Sequence, residues 1–232
     1  MKTSEQDSIG GANMARRSFL RYAGLGVASA GLLATAACHK DHKIDVVGGG
    51  IDIGAQGDIA ILNYAYALEQ LEAAFYIQVV ASPYSGMSND EKALFTAIRD
   101  HEVVHREFFK KALGSNAIPA LTVDFSTIDF TKKSAVLGAA KAFEDTGVKA
   151  YDGAGYLIKD AGYLTIAGKI VSVEARHAAL ISNMLVAGSF AADDQVDNNG
   201  LNKSATIAEV LPIANTYLKT KVNASNYGYV AS

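Results

Sequence analysis

One cysteine in 232 residues excludes an internal disulfide and any Cys-x-x-Cys or Cys₄ metal cage. Only three prolines interrupt the chain, and tryptophan is absent. Half of the residues are hydrophobic and alanine is abundant, so the scarcity of breakers favours helices over sheets. A net charge of −3 with no basic stripe argues against a nucleic-acid partner. No long apolar run is present either. The most apolar stretch, Tyr22 to Ala37, is rich in Ala and Gly. At about 16 residues it is too short for a spanning helix.

The N-terminal stretch has its own logic. "MARRSFLRYAGLGVASAGLLATAAC" runs from Met14 to Cys38 and places Arg16 and Arg17 ahead of Phe19, Leu20 and the mild apolar run. It resembles a twin-arginine export signal, which implies removal of residues 1–37 and delivery to the periplasm or cell envelope. A start at Met1 or at Met14 leaves that signal intact. "TAAC" resembles a lipoprotein cleavage box, with Cys38 as the residue expected to carry a lipid anchor and Thr35 where the pattern prefers Leu. Ordinary cleavage at "ATA", Ala34 to Ala36, is the alternative. Residues 38–57 read as a linker, because Gly48, Gly49 and Gly50 break regular elements and His39 and His42 sit in a polar tether.

Periodicity and punctuation predict four long helices. The first covers about 57–81, with Asp58 available as a cap and Pro83 ending it. The second covers about 88–113, opened by a Ser88/Glu91 capping box and closed by Gly114. Ser115 to Phe130 is too long for a tight turn and reads as a crossover. The third helix covers about 131–152. Gly138 and Gly147 inside it cost roughly 1 kcal/mol each relative to Ala, which points to close packing or metal access. The fourth covers about 158–187, ended by Gly188. A polar loop, a short helix over about 204–219 interrupted by Pro212, and an irregular tail make up 191–232. Short loops make antiparallel pairs, and the long crossover lets the third helix run parallel to the second.

The chemistry lies in a repeated pattern. "HEVVH" contains both a zinc-peptidase motif, His101-Glu102-x-x-His105, and a Glu-x-x-His pair, Glu102 and His105. "SVEARHAAL" repeats the second pattern as Glu174 and His177. Each pair follows a helix with its own carboxylates, Glu69 and Glu72 in the first and Glu144 with Asp145 in the third. Residues at i and i+3 share a helix face, so each Glu-x-x-His can reach one metal. Four buried carboxylates need cations, and imidazole with carboxylate suits iron or manganese. Arg176, next to His177, is expected to pair with Asp145 or Asp152.

"LNYAYALEQLEAAFY", "HEVVHREFF", "FEDTGVKAYDGAG" and "SVEARHAAL" together resemble the ferritin-like domain of exported bacterial and desiccation-related proteins, over about 58–190. The resemblance implies an all-α, ferritin-like four-helix bundle with a long crossover and a short C-terminal helix. It implies two iron or manganese ions held by Glu69, Glu102, His105, Glu144, Glu174 and His177. Glu69 is preferred to Glu72 because Tyr76 follows it by seven positions, as in the wider group. Tyr76 then becomes the candidate for a catalytic or electron-relay role. Oxygen, peroxide or ferrous iron are the implied substrates. With no cysteine-rich electron-transfer segment, an external electron donor is required. Two other readings compete: a non-catalytic stress or structural module, and a zinc peptidase using His101, Glu102 and His105. The peptidase lacks its third ligand, since Phe108 and Lys111 stand where the extended motif needs Gly and His nearby.

Overall fold

The computed structural model describes residues 46–47 and 49–231. Arg16, Arg17, Cys38 and the whole export-signal stretch lie outside the described residues. Among those described, the helices are α1 Asp58–Ala81, α2 Asn89–Leu113, α3 Lys133–Ala154, α4 Ala161–Leu185 and α5 Ile207–Asn215. The α1 helix packs along α2, α3 packs along α4, and α1 also contacts α3 and α5. This is the all-α bundle with a long crossover that the sequence predicts. No described helix is long and apolar enough to cross a membrane.

Every residue of α1 from Ala60 to Ala73 is buried, so this helix has no solvent face along that stretch. Its buried amides are satisfied by the crossover. Ile118 N–H donates to Asn63 Oδ1 at 2.9 Å, and Leu121 N–H donates to Gln70 Oε1 at 2.8 Å. Two side chains two turns apart on α1 thereby hold the crossover along its flank. Near one end of α1 an aromatic cluster forms around Phe75, whose ring lies 4.9 Å from Phe143 in an edge-on arrangement.

The helix ends follow local rules with two departures. Ser88 and Glu91 form the expected capping box on α2, and Gly114 closes it with φ 55°. Asp58 does not cap α1. Its carboxylate accepts the N–H groups of Lys159 and Asp160 at 2.8 and 2.9 Å, tying the loop before α4 to the start of α1. Pro212 does not interrupt α5, which runs through it. In so short a helix Pro212 removes only one potential bond, and a Thr206/Glu209 capping box compensates at the other end.

The linker and tail are more ordered than expected. Strands β1 Val46–Val47, β2 Gly50–Asp52 and β3 Val222–Asn223 form a small sheet, antiparallel between β1 and β2 and parallel between β2 and β3. Gly50 permits this pairing, since a Cβ there would stand 2.8 Å from Lys221 O. Val222 and Ala224 are fully buried, so the tail packs as part of the domain. Gly153 plays a similar role where the segment before α5 crosses α3: a Cβ would fall 1.9 Å from Ala205 O. Gly153→Ala is expected to destabilise the fold by about 1–3 kcal/mol through overpacking, a fall in melting temperature of roughly 3–10 °C by circular dichroism.

Candidate metal centre

The buried residues of α2 are Phe95, Ile98, Glu102, His105, Phe109 and Leu113. They recur every three or four positions and form one stripe. Glu102 and His105 take two consecutive places in that stripe, where a leucine would otherwise pack. On α4, Glu174 and His177 lie in the same way between Ile170 and Ile181. The helical period that buries the apolar residues therefore drives these charged groups into the core. Glu69 on α1 and Glu144 on α3 complete the ring, and all four carboxylates have no exposure.

The six residues form two overlapping groups of four. Glu69, Glu102, His105 and Glu174 make one, and Glu102, Glu144, Glu174 and His177 make the other; within each, ligand atoms lie within 4.8 Å of one another. Glu102 and Glu174 belong to both, whereas Glu69 and Glu144 each belong to one. His105 Nδ1 lies 2.8 Å from Glu174 Oε1, and His177 Nδ1 lies 2.8 Å from Glu102 Oε1. Yet both nitrogens, and both oxygens of Glu102 and of Glu174, lack a well-directed hydrogen bond. Glu69 Oε2 and Glu144 Oε2 are likewise buried without one. These close, buried and unbonded atoms are a donor set that a shared cation could satisfy. Ligands about 2.1 Å from an octahedral divalent cation stand roughly 3 Å apart, so the spacing fits a metal. Hard carboxylates with imidazole suit iron or manganese.

The remaining oxygens are held by tyrosines. Tyr76 on α1 donates to Glu144 Oε1 at 2.5 Å, and Tyr151 on α3 donates to Glu69 Oε1. Each tyrosine follows one ligand by seven positions and holds the ligand of the opposite helix. Tyr151 was visible in the sequence through that same spacing from Glu144, the signal that singled out Tyr76. His101 is exposed on α2 and joins the centre indirectly: its Nδ1 lies 2.9 Å from His177 Nε2, with the rings nearly parallel. That contact fixes which ring nitrogen His177 turns inward.

Without cations the charges are strongly perturbed. Burial and the Glu174 charge push Glu102 up to about 7. Burial lifts Glu144 to about 8 against the pull of His177. Glu69 is raised by burial, and Glu72 is raised well above the usual range by burial and four neighbouring carboxylates. Burial would raise Glu174 too, but His105 and His177 outweigh it and hold it at about 2. Burial alone would lower both imidazoles. The carboxylates prevail, led by Glu69 at His105 and Glu144 at His177, so His177 reaches about 12 and His105 rises well above its ordinary value. In this state two imidazolium groups stand in for cations.

Several sequence expectations resolve here. Glu69 joins a ligand group and Glu72 does not, although both are buried. His101 is in neither group, so the His101/His105 pairing of a zinc peptidase is not formed among the described residues. Arg176 bonds Ser172 on its own helix rather than Asp145 or Asp152. Asp145 instead accepts from Lys141 and Gln195. Gly138 faces open space, with nothing within 4 Å of an added Cβ, so of these two glycines Gly147 marks the close approach.

The ferritin-like domain family matches residues 57–187 of this chain, more than half of its length. No curated protein matches it.

Proposed function

This chain belongs to the ferritin-like domain family, and from that premise we propose that it holds two iron or manganese ions at a carboxylate-bridged centre. The observation that carries this reading is the sharing of Glu102 and Glu174 between two four-residue groups. Glu102 and Glu174 would bridge, Glu69 with His105 would complete one position, and Glu144 with His177 the other. Once bound, the metal pair would supply redox chemistry toward oxygen, peroxide or ferrous iron. The chain's own residues do the positioning. Tyr76 and Tyr151 each fix one carboxylate oxygen of a terminal ligand, leaving the other oxygen to face the centre. His101 orients His177. The apolar stripes of α2 and α4 exclude bulk water around all six.

The twin-arginine-type leader and Cys38 support an envelope location, with a lipid anchor through Cys38. The resemblance of the sequence to exported, desiccation-related proteins supports a protective role there, with electrons from an external donor. The test adds oxygen or peroxide to anaerobically reduced, metal-loaded protein and follows the near-ultraviolet absorption that grows as the metal is oxidised. Oxidation well above a metal-free control is expected. A trace identical to the control would leave a metal-holding structural module.

A further inference from the structure

Glu72 belongs to neither ligand group, yet it is a carboxylate only 3% exposed, one turn along α1 from Glu69. Its Oε2 makes no hydrogen bond among the described residues. A polar atom buried in that state is costly until something partners it. The Glu72 side chain lines a small cavity between α1, α3 and α5, with Leu71, Phe143, Thr146, Gly147 and Ile213 around it. Ile213 is 46% exposed, so the α5 side of this cavity borders solvent. On the inner side, Glu72 stands one turn from Glu69, and its carboxylate meets Gly147, three positions along α3 from Glu144. Glu72 is therefore placed between the cavity and the ligand cluster.

Gly147 makes this placement possible. A Cβ there would stand 2.8 Å from Glu72 Oε1. The glycine sits in the middle of α3, where alanine would be the better helix former. Its lack of a side chain is what leaves room for the carboxylate. The rest of the wall is mainly apolar, so a cation passing inward meets one strong ligand there, and that ligand is Glu72.

We propose that Glu72 is the intake residue of the metal centre. A divalent cation passes the Thr146–Gly147–Ile213 mouth, binds the Glu72 carboxylate transiently, and moves one helical turn to the ligand cluster. The inference rests on the di-metal reading above, and its test separates the two. Metal-free protein is mixed with cobalt(II) in a stopped-flow instrument, and the visible absorption of the bound ion reports both rate and capacity. Wild-type protein is expected to take up two cobalt ions. Glu72→Gln keeps the shape and removes the carboxyl that can give up its proton to an incoming cation; it should reach the same capacity at a rate roughly tenfold or more slower. Gly147→Ala, which displaces the carboxylate, should slow uptake in the same way. Wild-type rates in Glu72→Gln overturn the intake role and leave the di-metal reading standing. A capacity of one ion in Glu72→Gln also overturns it, by making Glu72 a ligand. Wild-type protein that takes up no cobalt overturns the di-metal reading, and the intake role with it.

Discussion

Alanine at Glu174 is expected to abolish both metal positions at once, whereas alanine at Glu69 or at Glu144 removes one. The difference follows from membership: Glu174 contributes to both four-residue groups, and Glu69 and Glu144 contribute to one each. Losing Glu174 also takes away the oxygen 2.8 Å from His105 Nδ1 and a neighbour of His177 at 3.5 Å. Affinity at both positions should fall by more than about a hundredfold, beyond what loss of a supporting residue outside the ligand set costs. Elemental analysis of dialysed protein reads the result directly. Two iron or manganese ions per wild-type chain should fall to near none in Glu174→Ala. The Glu69→Ala and Glu144→Ala proteins should each keep about one, in line with the loss of one ligand set. Circular dichroism checks that each variant is folded. One zinc per chain, retained in Glu174→Ala, would sink the di-metal reading and revive the peptidase motif.

Metal-free protein should lose stability as pH rises from about 5.5 to about 8.5, and metal-loaded protein should gain it. The folded, metal-free cluster keeps protons that the unfolded chain releases. Burial holds Glu102 at about 7 and Glu144 at about 8, and raises Glu69 and Glu72 as well. Each raised carboxyl contributes stability that is complete below the ordinary carboxylate range and is lost as pH climbs through its folded value. The raised imidazoles act in the same direction: their contribution is complete below the ordinary histidine value and declines above it. Glu174 acts oppositely, but its contribution fades only in acid, as pH falls toward about 2. Across the chosen window the folded state therefore binds more protons than the unfolded one, and stability falls. One pKa unit corresponds to about 1.4 kcal/mol. A net loss of a few kcal/mol lowers the melting temperature of a domain this size by roughly 5–10 °C. Cations reverse the slope, because ligands must release their protons to bind them and binding strengthens as pH rises. Melting curves at three pH values, with chelator and with manganese(II), give the comparison. Parallel slopes in the two states would show that the cluster does not couple protons to metal.

Much of the site was legible before any coordinates, because the α-helix converts spacing into geometry. Three positions between Glu102 and His105, and between Glu174 and His177, put each pair on one face. Placing those pairs within an apolar stripe made burial the expected outcome. Seven positions between Glu69 and Tyr76 are two turns, so that pair also shares a face. The same spacing from Glu144 leads to Tyr151 in the second half. The linker and tail are less legible in the sequence. Their pairing depends on residues about 170 positions apart, such as Ile51 and Val222, and no local period encodes it.

The sequence by itself determined the helices, the order of the ligands and the family. All three depend on patterns repeated within a few residues of one another. Tertiary structure alone decided which carboxylates belong to both four-residue groups and that each tyrosine reaches the opposite helix. It also placed His101 against His177 and outside both four-residue groups. These are questions of how far one helix is rotated and shifted against its neighbour. That is set by side-chain packing across the bundle, where Gly147 leaves space for the Glu72 carboxylate. A repeat along one helix can specify a face, but only the packed neighbours specify what that face meets.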